Sequence, residues 1–176
     1  VHGGSSSLSA AAIQLAKAHG CRVLATASDK AKAQRAQDLG ADATGVSGEG
    51  SIADWVMEVT QGQGTNMVFD HVGAAHWTAS LAALAPRGRM VCVGNTTGDQ
   101  VPIPSLGSLY QRGISIIGSD AFDSERFSEV WERFCVGISD KTLSANVGDQ
   151  MPLAEGGIAH RRMQDGDALG KLILLP

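Results

Sequence analysis

The sequence is poor in aromatic residues and in net charge. Aromatic side chains make up 5% of its 176 residues, with a single tyrosine, and the formal net charge is −4. A weakly acidic chain lacks the basic surface that attracts nucleic acid or an anionic membrane, so neither is expected as a partner. No apolar run approaches the roughly 18 residues that a membrane span needs. These absences predict a soluble, cytoplasmic protein.

Cysteine is also scarce. Cys21, Cys92 and Cys135 lie far apart, each within an apolar stretch. An odd and widely spaced set of cysteines does not match a disulfide framework. We therefore expect buried, reduced thiols at all three positions.

The hydrophobic residues, 43% of the chain, fall in short apolar runs that alternate with longer helical patterns. The predicted strands are CRVLATA (21–27), DATGV (42–46), NMVFDHVG (66–73), RMVCVG (89–94) and ISIIGSD (114–120). The predicted helices are KAKAQRAQDLG (30–40), SIADWVMEVTQG (51–62), HWTASLAALAPRG (76–88) and SERFSEVWERFCVGI (124–138). Continuous rather than alternating apolar strands are typical of a sheet covered on both faces. The pattern predicts an α/β fold of Rossmann type, with a doubly wound parallel sheet.

The two ends of the sequence are predicted to be incomplete elements. Only Val1 and His2 precede the first glycines, against roughly 5–6 residues in an ordinary strand, so we expect a truncated first strand. Residues 141–176 are predicted to add a helix and a strand after the sixth strand of the sheet. We interpret 1–140 as a nucleotide-binding Rossmann domain. We expect 141–176 to be an extension that docks on an N-terminal catalytic domain missing from this chain.

The opening segment VHGGSSSLSAAAIQLAKAHG resembles a strand end, a tight turn and a helix. Such a turn presents backbone N–H groups and the positive end of the helix dipole to a phosphate. Gly3 and Gly4 are present, whereas Ser6, Ser7 and Ser9 occupy the places of later glycines. We expect the side chain of Ser9 to press the helix away from the strand. The turn alone therefore fits either a cofactor site or a serine-capped helix start.

The second strand distinguishes between two nicotinamide cofactors. NAD-binding domains usually carry an acidic residue at its end, where it binds the ribose hydroxyls. Here the strand ends with Ala27 and Ser28, neither of which is acidic. Asp29 lies beyond the usual position of the acidic residue, and Lys32 follows it. A serine and a lysine suit a 2′-phosphate, so NADP(H) is favoured over NAD(H). The alternative is that Lys32 is an ordinary solvated helix residue.

Several segments together resemble the nucleotide-binding domain of the medium-chain dehydrogenase/reductase superfamily. These segments are the opening run through Ala43, FDHVGAAHWTASLAALAPRGRMVCVGNTTG, ISIIGSD and PLAEGGIAHRRMQDGDALGKLILLP. The superfamily includes zinc alcohol dehydrogenases, quinone oxidoreductases and enoyl reductases. The resemblance implies that the cofactor is bound by Gly3, Gly4, Ser5, Ser6, Ser7, Leu8, Ser28, Lys32, Val72, Gly73, Val93, Gly94 and Asn95.

The resemblance also implies what this chain does not contain. Zinc ligands or a proton donor would come from the missing domain, so no catalytic residue and no metal ligand is expected here. His71 and His76 lack the spacing of a helical metal site and are predicted to be structural. Asp70 is predicted to cap the following helix, and the alternative is that it orients the cofactor or a loop. The hypothesis is an NADP(H)-binding domain of an oxidoreductase that moves a hydride between NADPH and a small-molecule carbonyl or activated double bond.

Two further expectations accompany this hypothesis. The alternative function is a non-catalytic nucleotide-binding or scaffold module of the same family, which the serine-substituted turn favours. The predicted sixth strand, 114–118, would lie at the edge of the sheet and carries neither charge nor proline. We therefore expect a homodimer that pairs through this strand; the alternative is that the chain's own C-terminal elements cover it.

Overall fold

The computed structural model describes residues 1–120 and 124–176, in which strands and helices alternate. The strands are β1 (Leu24–Ala27), β2 (Ala43–Val46), β3 (Thr65–Asp70), β4 (Leu84–Cys92), β5 (Ser115–Gly118), β6 (Val147–Pro152) and β7 (Lys171–Leu175). The helices are α1 (Ser7–Ala18), α2 (Lys30–Asp38), α3 (Ile52–Val59), α4 (Trp77–Ala83), α5 (Leu106–Arg112), α6 (Phe127–Ser139) and α7 (Gly156–Asp165).

The first two residues connect two groups of parallel strands. β1 pairs with β2, while β3, β4 and β5 form a three-stranded sheet. Between them, the amino group of Val1 donates to Leu24 O at 2.9 Å, and Thr26 N donates to Val1 O at 2.9 Å. On the other side, His2 N lies 3.5 Å from Phe69 O. Residues 1 and 2 therefore lie between β1 and β3. The resulting order, β2, β1, residues 1–2, β3, β4 and β5, is that of a doubly wound Rossmann sheet, as predicted.

Helices cover both faces of this sheet. Leu24 and Ala25 are neighbours in β1, so their side chains point to opposite faces. Each belongs to a different buried cluster. The cluster of Ala25 also contains Ile13, Val23, Ala36 and Ala41; the cluster of Leu24 contains Val56 and Ala83; a third unites Val68, Leu81, Leu84 and Met90. The expected doubly covered core is present.

Helix α4 is shorter than predicted. The sequence pattern predicted a helix ended by Pro86 and Gly88, but α4 ends at Ala83 and β4 begins at Leu84. Pro86 disfavours helical geometry at the residue before it, so the helix ends ahead of Ala85 rather than at the proline itself. Leu84 instead lies opposite Thr65, and the register of the β3–β4 pair shifts before Met67.

The C-terminal segment contains one strand more than predicted. β6 and β7 pair in parallel, and α7 connects them. The sequence of β6, VGDQMP, hides this strand because a glycine and two polar residues interrupt its apolar pattern. The division into 1–140 and 141–176, and the docking of the second part on another domain, stay predictions.

The expectation that all three cysteines are buried is wrong. Cys21 and Cys135 are exposed and Cys92 is half-buried, although all three thiols are free as expected. Helix α6 forms where it was predicted, after a short 3₁₀ turn, but the described structure leaves its apolar side exposed. Phe127 and Trp131 are 60% and 54% exposed and stack at 6.2 Å. No helix among the described residues is long and apolar enough to cross a membrane.

Candidate functional site

The opening turn leads directly into the N-terminus of α1. Gly3 has a φ of +59°, a conformation that glycine adopts without strain. Ser6 is the N-cap of α1, and its Oγ accepts from Ser9 N at 3.1 Å. Ser6 N itself donates to Gly3 O at 2.8 Å. The N–H groups of Ser7 and Leu8 bond to no acceptor in the described part of the chain, and are therefore available to an anion.

Gly4 allows the turn to lie close to β1 and α2. A Cβ atom at this position would lie 2.7 Å from the Cβ of Ala36 and 3.1 Å from the Cβ of Ala25. The N–H of Gly4 donates to Thr26 O at 2.8 Å, which ties the turn to the end of β1. A larger residue at position 4 would therefore displace the turn from the strand and helix beside it.

Ser9 fits the site, contrary to the expectation that it would press the helix away. The residue is fully buried, and its Oγ donates to His2 O at 2.6 Å. Ser6 Oγ donates to Ser9 Oγ at 2.9 Å, and His71 Nε2 lies 2.9 Å from the same oxygen. The serine hydroxyl thus binds the first strand through a hydrogen bond where a glycine would pack closely against it.

The end of β1 carries the predicted serine and lysine side by side. Lys32 Nζ donates to Ser28 Oγ at 3.0 Å and lies 3.2 Å from Asp29 Oδ2. Asp29 caps α2, accepting from Lys32 N at 2.9 Å. That backbone bond, with further contributions from the Lys32 and Ser28 side chains, lowers the pKa of the Asp29 carboxyl. The exposed carboxylate of Asp29 therefore partly neutralises the ammonium group of Lys32 at this site.

Asp70 organises the end of β3. Its side chain is 1% exposed, and Oδ1 accepts from Val72 N at 2.8 Å and Gly73 N at 3.2 Å. The prediction that Asp70 caps the following helix is wrong, because the carboxylate binds the turn instead. Gly73 has a φ of +85°, and a Cβ there would lie 2.5 Å from Gly98 O and 3.0 Å from Asn95 Cα.

The end of β4 meets the end of β3. Val93 N donates to Asp70 O at 2.8 Å, and a Cβ at Gly94 would lie 3.1 Å from His71 O. His71 in turn lies beside Gly3, where a Cβ would be 3.1 Å from Nε2. The predicted residues at the ends of β3 and β4 therefore gather beside the opening turn. Ser28 and Lys32 follow β1, whose Thr26 O accepts from Gly4 N of that turn.

The sequence analysis did not predict two polar clusters that support the opening turn and the strand ends beside it. His2 is buried, with Nδ1 2.8 Å from Thr26 Oγ1 and Nε2 2.7 Å from Ser80 Oγ. Burial is the main cause that lowers the pKa of His2 to about 3, with smaller electrostatic contributions from the amino terminus, His76 and His71. No group of three or more His, Cys, Asp and Glu side chains within residues 1–120 and 124–176 could hold a metal ion.

The second cluster ties the C-terminal segment to the turn. Arg35 Nη2 donates to Asn146 Oδ1 at 2.8 Å, and Asn146 Nδ2 donates to Ser5 O at 3.3 Å. These partners are separated by more than a hundred residues, so no local pattern could have paired them. They hold the carbonyl of Ser5 at the side of the turn.

A parallel doubly wound sheet, with a glycine turn feeding a helix N-terminus, defines the chain as a Rossmann-type nucleotide-binding domain. Residues 8–135 match the family model described as zinc-binding dehydrogenase. The chain therefore belongs to that family, within the medium-chain dehydrogenase/reductase superfamily that its sequence resembles.

Similar proteins include quinone oxidoreductases. The chain is 39% identical over 174 residues to a quinone oxidoreductase of Salmonella typhimurium, covering 94% of this chain and 52% of that protein. A mycobacterial protein solved with NADPH superimposes with a TM-score of 0.87 at 31% identity, over 99% of this chain and 56% of that one. The Escherichia coli quinone oxidoreductase, also solved with NADPH, gives 0.86 at 27% identity, with the same coverage. The chain spans about half the length of these proteins.

Proposed function

We propose that the chain is the NADP(H)-binding domain of an oxidoreductase of the quinone oxidoreductase or alcohol dehydrogenase type. The observation that carries this proposal is the pair Ser28 and Lys32, which follows β1, the strand whose Thr26 O accepts from Gly4 N of the opening turn. Two similar proteins of known structure were solved with NADPH, which supports the same cofactor here.

The residues present fit a dinucleotide. Ser7 and Leu8 would bind the pyrophosphate through their N–H groups, in a turn that Gly4 keeps close to the sheet. Ser28 and Lys32 would bind the 2′-phosphate. The ends of β3 and β4 would contribute the remaining contacts, from Val72, Gly73, Val93, Gly94 and Asn95.

The chain's own role is to hold and orient the cofactor. NADPH would supply a hydride to a carbonyl or activated double bond of a small substrate. Groups that bind substrate or donate a proton, and any zinc ion, are assigned to residues outside this chain. The fit of Ser9 removes the sequence feature that favoured a scaffold module without catalysis.

The 2′-phosphate site can be tested with nucleotide fragments. Adenosine 2′,5′-bisphosphate and ADP should both displace bound NADPH, because each can place a phosphate at the opening turn. The 2′-phosphate compound should compete at least several-fold more strongly, since only it reaches Ser28 and Lys32. Equal competition would contradict the assignment of this site, and no NADPH binding at all would contradict the proposed function.

We also propose a homodimer that pairs through residues 114–118. β5 pairs only with β4 within the described residues, and all four of its residues are exposed. Ile116 and Ile117 are 39% and 42% exposed, which leaves an apolar edge with unpaired backbone groups.

A charge on this edge tests the dimer. Ile116→Lys should convert a dimer to a monomer at micromolar concentration, measured by light scattering, because lysine on an edge strand opposes pairing. Met163→Lys is the matched control, since Met163 is 61% exposed on α7, the helix that connects β6 and β7, and neither of these strands pairs with β5 among the described residues. An unmodified protein that is already monomeric at that concentration would refute the proposal.

A further inference from the structure

We propose that His71 is a positioning residue for the cofactor, which holds the pyrophosphate-binding turn through Ser9. This inference rests on the proposed function and assigns a role to a histidine that the sequence pattern predicted to be structural. His71 follows β3 directly, and its ring lies between that strand end and the opening turn. Its Nε2 is 2.9 Å from Ser9 Oγ and 3.1 Å from His2 O.

The hydrogen-bond partners determine which atom donates. The hydroxyl proton of Ser9 is directed to His2 O at 2.6 Å, so it is not available to the histidine. A carbonyl oxygen only accepts, and His71 Nε2 lies within bonding distance of the same carbonyl. Nε2 therefore carries a hydrogen, which it donates to Ser9 Oγ.

This bond completes the coordination of the Ser9 hydroxyl. Ser9 Oγ donates once, to His2 O, and accepts twice, from His71 Nε2 and from Ser6 Oγ. Its single proton and two lone pairs are then all used. Ser6 is the residue that caps α1, and its own hydroxyl oxygen accepts from Ser9 N. His71 thereby orients the cap that sets the first turn of the helix.

The backbone of His71 connects the same point to β4. His71 O accepts from Thr96 N at 3.3 Å, and Gly94 packs against this carbonyl so closely that a Cβ would lie 3.1 Å away. The ring also occupies the space beside Gly3. One residue thus contacts the turn and the segment after β4, both of which are assigned to the cofactor.

The role follows from the serine at position 9. A glycine there would offer no side-chain oxygen, and the histidine would have nothing to orient on α1. With serine present, removing the histidine leaves a buried hydroxyl oxygen short of one donor. The effect of changing His71 should therefore depend on Ser9.

A double-mutant cycle tests this dependence. His71→Leu should weaken NADPH binding roughly three- to tenfold, the scale of one hydrogen bond, measured by calorimetric titration. In the Ser9→Gly background the same change should have no further effect. His71→Gln should restore affinity to within about twofold, because its amide can donate in place of Nε2. Melting curves establish that each variant is folded.

A ligand without a pyrophosphate separates positioning from general damage. Adenosine 2′-monophosphate reaches Ser28 and Lys32 but not the turn, so its affinity should be equal in His71→Leu and the unmodified protein. If His71→Leu does not fold, Ser9→Ala tests the same bond from its other partner; because the bonds to His2 O and Ser6 Oγ are lost with it, a loss of at least three- to tenfold is expected.

Three results would overturn the proposal: unchanged NADPH affinity in His71→Leu, losses that add fully with Ser9→Gly, or an equal loss for adenosine 2′-monophosphate. An unmodified protein that fails to bind NADPH would instead overturn the proposed function, so the two failures are distinguishable.

Discussion

Lowering the pH from 6.5 to 5 should destabilise the folded protein through His2. Burial is the main reason that the pKa of this imidazole falls from 6.5 to about 3 in the folded state. Between those two values the unfolded chain binds one proton more than the folded chain, so stability falls as the pH is lowered. The slope for one proton is about 1.4 kcal/mol per pH unit, which gives a loss of about 2 kcal/mol over this interval.

Urea unfolding at pH 7, 6 and 5 measures this loss. His2→Gln replaces the titrating ring with a neutral amide, and should flatten the dependence of the unfolding free energy on pH by that amount. His19→Gln is the control, because His19 is an exposed residue at the end of α1. If His2→Gln retains the full pH dependence, the assignment of a buried neutral imidazole to His2 is wrong.

Two further substitutions probe the site itself. Asp29→Asn keeps a good helix cap but removes the carboxylate 3.2 Å from Lys32 Nζ, so NADPH should bind roughly two- to fivefold more tightly by calorimetry. A weaker NADPH complex would contradict that interpretation of the ion pair. Gly4→Ala should lower the unfolding free energy by about 1–3 kcal/mol, because its Cβ would overlap Ala36. Gly157→Ala in α7, where nothing lies within 4 Å of the added carbon, should be neutral or stabilising; equal losses in both variants would contradict the packing argument.

Local patterns predicted β1 to β5 and the helices α2, α3, α4 and α6 in order, because each of these signals lies within a few residues, whereas α5 and β6 were not predicted. Ser28 and Lys32 directly follow the apolar run that contains β1. Their proximity to the end of this strand could therefore be predicted from the sequence. The end of α4 was misplaced, although the restriction that Pro86 imposes on Ala85 was already visible.

Long-range contacts account for most of what could not be predicted. His2 bonds to Ser80, 78 positions away, and Arg35 bonds to Asn146, 111 positions away. No periodicity links such residues, since the fold alone brings them together. The serine at position 9 was misjudged for the same reason, because its acceptability depends on the carbonyl of His2 and on a histidine 62 residues later.

The contribution of Lys32 to the choice between NADPH and NADH tests the central claim most directly. The unmodified protein should bind NADPH more tightly than NADH, and Lys32→Ala should weaken NADPH by roughly 1–3 kcal/mol while leaving NADH nearly unchanged, because only NADPH offers a 2′-phosphate to the ammonium group. Lys30→Ala, which removes an exposed lysine from the same helix, should change neither affinity appreciably. Identical titration curves for the two nucleotides in the unmodified protein, or equal losses for both in Lys32→Ala, would contradict the account.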